Sequence, residues 1–170
     1  MEPLGSDSAT VQRADGQIER LGLPLPKSMD QSKDVEWPAN IADLSQEQLA
    51  EHLTWWSGWA AYTRYHVARA ETNASAVDKE LHLLRSELMF KMQGDHKTVT
   101  ETKAAISIRP DIQKLEAQML EADALRRMLR ALLEGYEGKF QTTSREITRR
   151  GVEWNTGAEG DNVNMFKVRK

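Results

Sequence analysis

Apolar residues recur in alternating steps of four and three through Leu49, Leu53, Trp56, Ala60, Thr63, Val67, Ala70, Ala74, Val77, Leu81, Leu84 and Leu88. That 3.5-residue stripe is the mark of a helix packed along another helix. Just upstream, "SQEQ" forms a capping box in which Ser45 accepts from an early backbone N–H and Gln48 reaches back. The pattern predicts one helix over 46–92, roughly 70 Å long at 1.5 Å per residue. Such a rod cannot fold on itself and needs a partner helix along much of its length.

A second stripe supplies the partner. Pro110 suits a first helical turn, and Ile112, Leu115, Met119, Ala122, Leu125, Leu129, Leu132, Tyr136, Phe140, Thr143 and Ile147 follow with the same average step. Gly135 and Gly138 interrupt this helix at about 1 kcal/mol each against alanine, so a bend or a close helix crossing is expected there. The connection 93–109, "QGDHKTVTETKAAISIR", fits an extended loop, a short hairpin arm or a broken helix, and periodicity does not choose among them. Residues 1–40 hold four of the five prolines and no sustained repeat, which predicts a disordered or extended arm; Leu21, Leu23, Leu25 and Trp37 are its candidate docking residues.

The expected architecture is all-α: a long antiparallel helical hairpin over 41–152 with coiled-coil-like packing, an N-terminal arm over 1–40, and a polar tail over 153–170. Two helices leave apolar surface uncovered, so a homo-oligomer is expected.

Composition narrows the chemistry. There is no cysteine, which excludes disulfides and thiolate catalysis and suits a reducing compartment. No run is long and apolar enough to span a membrane, and "MEPLGSDSATVQRADGQ" has neither the basic start nor the apolar stretch of a signal peptide, so a cytoplasmic protein is expected. His52, His66, His82 and His96 lack ligand spacing, no glycine-rich phosphate loop occurs, and no carboxylates pair as acid and base. Neither a metal nor a cofactor is expected, nor an enzyme.

Net charge is only −3, yet residues 97–170 carry fourteen bases against eleven acids. The excess concentrates in 126–150, with seven bases against three acids, and points to an anionic partner. Arg145, Arg149 and Arg150 in "TTSREITRR" are candidate phosphate contacts, helped by Thr143 and Ser144. A second group, Arg85, Lys91, Lys97, Lys103 and Arg109, surrounds the inter-helix connection. The plain alternative is a solvated helical face with a favourable cationic C-terminal end.

"TWWSGWAAYTRYH" raises a further choice. Trp56 falls on the main stripe, while Trp55, Trp59, Tyr62 and His66 form an adjacent one. A wide aromatic face at helical spacing predicts a core or an oligomer interface for Trp55, Trp56, Trp59 and Tyr62; base stacking is the alternative.

The order of these parts resembles the UvsY-type recombination mediators of T-even phages over residues 45–150: an aromatic-rich opening helix, a polar Gly-Asp loop into "KTVTETKAAISIRPDIQKLE", then a long apolar helix closing on the Ser-Arg pair of "TTSREITRR". The resemblance implies a non-enzymatic protein that forms a ring-like homo-oligomer, binds single-stranded DNA, and helps load a RecA-like recombinase onto strands covered by single-strand-binding protein. It further implies a basic DNA-binding segment where the first helix meets the loop. Here "LLRSELMFKMQGDHK" offers Arg85, Lys91 and Lys97, a looser set than that pattern asks for. A structural or scaffolding protein, a virion or tail-assembly component using the helices only for oligomer contacts, is the alternative.

Overall fold

A computed structural model describes residues 8–30, 35–92 and 98–167, with side chains as far as Trp154. Four helices follow in order: α1 (Ala9–Arg20), α2 (Gln46–Lys91), α3 (Val99–Ser107) and α4 (Pro110–Lys167), with a 3-10 turn at Ile41–Asp43. Among the described residues there is no strand. The chain divides into two compact units: Met1–Pro26 with Thr63–Ala131, and Lys27–Tyr62 with Leu132–Lys170. α2 and α4 each contribute a segment to both.

In the first unit, α2 and α4 pack through the expected stripes. Leu81 and Leu88 of α2 bury against Ile106 of α3 and Ile112 and Leu115 of α4, with Leu84, Met89 and Met92 at the edge. Of the connection 93–109, the described part from 98 holds a helix, α3, and 93–97 lie outside the described residues. Thr98 caps it by accepting from the Glu101 N–H, and Pro110 starts α4 two residues after Ile108 ends α3.

The expected disordered or extended arm is overturned over 9–20. α1 is a helix that lies antiparallel on α2: the Ser8 N–H donates to Asn73 Oδ1 at 3.1 Å, the Tyr65 hydroxyl donates to Asp15 at 2.7 Å, and Arg69 pairs with Asp15 at 3.2 Å. Val11 is buried. Only Val11 and Ile18 repeat on its inner face, too few to announce a helix, and polar contacts do the rest. α1 stops in a Schellman motif, with Leu23 N–H bonded to Ile18 O and Gly22 at φ 68°, a left-handed position suited to glycine. Leu21 and Leu23 beyond it are exposed.

The second unit joins α2 over 46–62, the segment before it, and α4 from 132. The capping box forms as its pattern requires: Ser45 N–H donates to Gln48 Oε1 at 2.8 Å and Gln48 N–H to Ser45 Oγ at 3.2 Å. Leu49 and Thr143 are fully buried, and the Thr143 hydroxyl is satisfied by Lys139 O. Gly58 lets the Met29 thioether lie against α2 where a β-carbon would collide. α4 runs through Gly135 and Gly138, and both have open space beside them, so they mark no close crossing within the described chain. α4 continues as far as Lys167, into the residues expected to form a polar tail over 153–170. No proline follows Pro110, and glycine alone weakens a helix without ending it.

Candidate nucleic-acid interface

The cations nominated from sequence fall into two sets, one in each unit. In the second unit, Arg145, Arg149 and Arg150 sit on one stretch of α4 with different surroundings. Glu146, buried between them, pairs with two of the three: Arg149 Nη2 and Arg150 Nε both reach Glu146 Oε1 at 2.7 Å, although Arg149 stays exposed. Those hydrogen bonds, from Arg149 first and Arg150 next, hold the Glu146 carboxyl down to about 2. Arg149 also pairs with Glu153. Arg150 donates to the main-chain carbonyls of Leu44 and Ala42, both at 2.8 Å, and so fastens the 3-10 turn to α4. Arg145 is exposed and, among the described residues, meets no acid; Ser144 beside it is half-buried.

The rest of the 126–150 strip is also largely committed within the chain. Arg126 and Arg127 approach Asp123 at 2.8 and 3.7 Å, and Arg130 pairs with Glu71. Lys139 places its ammonium 3.9 Å from the Trp56 ring centre and 5.8 Å from that of Trp37, a cation–π arrangement. Arg127 keeps most of its side chain in solvent.

In the first unit, Arg85 pairs with Glu116 across to α4, Lys91 with Glu87 along α2, and Arg109 with Asp111 at 2.8 Å. Lys103 on α3 is exposed. Lys97 lies outside the described residues.

The aromatic residues pack on one another in the second unit. Trp55 and Trp56 are buried, Trp59 and Tyr62 half-buried. Tyr136 of α4 stacks on Trp56 with centroids 5.8 Å apart, and Trp55–Trp59 and Trp59–Tyr62 meet edge to face. Trp37 closes the group edge-on against Trp56 and His52, so its docking surface is its own α2. Trp56 Nε1–H donates to His52 Nδ1 at 3.3 Å, which requires a neutral imidazole; burial lowers the His52 pKa, Glu51 opposes this, and Lys139 adds to it. Sequence spacing placed the α2 rings and Tyr136 on their stripes, but not Trp37 and Lys139, which join the group from outside those stripes.

Among the described residues no group of three or more His, Asp or Glu is placed to hold a metal ion, and no helix is long and apolar enough to cross a membrane. No protein-family model, curated protein or solved structure matches the chain.

Proposed function

We propose that this chain is a non-enzymatic recombination mediator of the UvsY type: a homo-oligomer, ring-like by that resemblance, that holds single-stranded DNA by its phosphates in the cytoplasm. There it helps load a RecA-like recombinase onto strands covered by single-strand-binding protein. The observation that carries the reading is the division within "SREITRR". Glu146 pairs with Arg149 and Arg150, while Arg145 is exposed and meets no acid among the described residues, with Ser144 half-buried beside it. One cation without an acid partner in this segment is a small patch, but repeated by symmetry it yields useful avidity.

The scaffolding reading has its own support. Arg85, Lys91, Arg149 and Arg150 are all engaged by carboxylates of the same chain, as they are in a protein whose charges serve only its helices.

A titration separates the two. A fluorescent single-stranded oligonucleotide is mixed with the protein at low and moderate salt. The mediator reading expects binding that weakens steeply with salt, because phosphate contacts release counterions. Absence of salt-sensitive binding at low salt defeats it and leaves the scaffold.

A further inference from the structure

α1 covers one face of α2 from Tyr65 to Asn73. Its start is held at Asn73, and Asp15 takes Tyr65 and Arg69. At 100° per residue, positions eighteen apart share one line of a helix, so Leu83 continues the line of Tyr65 and Phe90 follows one heptad on. Beyond α1, nothing among the described residues covers that line: Leu83 is 72% exposed and Phe90 78%. A shallow groove runs there past Thr10, Ala76 and Leu84. Leu81 and Leu88, two positions earlier and so on the other side of α2, are core residues.

α4 repeats the arrangement. Leu115 and Ala122 are buried on its inner side. Two positions on, Ala117 and Ala124 start an outer stripe that takes in Leu120, Met128 and Ala131 at steps of three and four, all exposed. Leu120 is 73% and Met128 66% open to solvent. No charged residue falls within this stripe. Each helix therefore spends its front on the other and keeps large apolar residues on its back, which on α2 stand among Lys79, Glu80 and Glu87 of the same groove.

We infer that these two backs are the two halves of one interface between copies of this chain, with Leu83 and Phe90 of one copy seated on the alanine-lined back of α4 in the next. The inference rests on the reading that the chain assembles, and it adds the surfaces. α1 already shows, on the same line of α2, that this face takes a helix. The two backs differ in kind: one presents bulky residues a heptad apart, the other presents Ala117, Ala124 and Ala131 a heptad apart as the holes such knobs need. Both lie in the first unit, on opposite sides of the same helix pair, so every copy offers one half to each neighbour. Such head-to-tail contacts propagate and, where the rotation closes, make a ring.

The test is the solution mass, by light scattering, of the full chain and two double variants: Leu83→Glu/Phe90→Glu and Leu120→Glu/Ala124→Glu. All four positions are exposed on helices, and circular dichroism checks that each variant keeps its helix content. Should either glutamate pair unfold the chain, the serine versions at the same positions replace it. The wild type is expected to contain several chains, and each variant alone to fall to one. An equimolar mixture of the two variants is expected to recover a two-chain species, because one intact α2 back then meets one intact α4 back. A variant that keeps the wild-type mass, or a mixture that stays at one chain, overturns the inference while the single-strand titration still decides the mediator reading. A wild type of one chain overturns the inference and the assembly reading together.

Discussion

Arg150 donates from Nη1 to the carbonyl oxygen of Leu44 at 2.8 Å, joining α4 to the turn that precedes α2 across 106 positions of sequence. With its second bond to Ala42 and its third to Glu146, this guanidinium satisfies two carbonyls and a buried carboxylate at once. Arg150→Ala leaves them without that donor, at a cost on the order of 1–3 kcal/mol. The urea midpoint should fall with the slope of the transition unchanged; an unaltered midpoint would show the clamp to be incidental.

Acid should loosen the same clamp. The folded-state pKa of Glu146 lies near 2, below its ordinary value of 4.5, so its stabilising effect is complete above about 4.5 and is lost as pH falls toward about 2. Glu146→Gln should flatten the dependence of the denaturation midpoint on pH within that window. A slope equal to the wild type's would rule out Glu146 as its source.

His52 acts at milder pH. Its folded-state pKa is lowered beneath the ordinary 6.5, chiefly by burial, so below 6.5 the unfolded chain binds a proton that the folded chain resists. Stability should be level above 6.5 and decline as pH drops beneath it. Titration of the His52 ring by proton NMR checks the sign: a midpoint at or above 6.5 contradicts the buried, neutral imidazole that accepts from Trp56.

Two helix starts carry independent predictions. Ser45→Ala removes the oxygen that accepts from Gln48 N–H, and Thr98→Ala removes the one that accepts from Glu101 N–H. Each should cost about 0.5–2 kcal/mol. Hydrogen exchange places the effects: Ser45→Ala should speed exchange in the first turn of α2, and Thr98→Ala in α3. Exchange that is unchanged in those turns would deny the caps their role.

How far the sequence discloses this protein follows from the range of the interactions involved. α2 and the apolar part of α4 are legible because their stripes run for many heptads, and Ser45–Gln48 and Pro110 mark starts with local chemistry. α1 is hidden because Val11 and Ile18 alone face inward and Asp15, a polar residue, makes the anchoring contacts. α3 carries its own capping signal in Thr98 and Glu101, yet nine residues are too few for a period to stand out. The basic strip is legible as charge but not as partnership. Glu146 at three and four positions before Arg149 and Arg150 is a local hint, whereas Leu44, Ala42 and Trp37 come from far along the chain and only folding brings them to α4.

The most direct measurement is the single-strand affinity of Arg145→Ala beside Arg150→Ala, at a temperature where both remain folded. Arg145→Ala should bind several-fold more weakly, with the slope of log affinity against log salt reduced by about one for each subunit that loses its phosphate contact. Arg150→Ala should bind as the wild type does. If Arg145→Ala binds like the wild type and Arg150→Ala does not, the division of this segment between fold and phosphate is wrong.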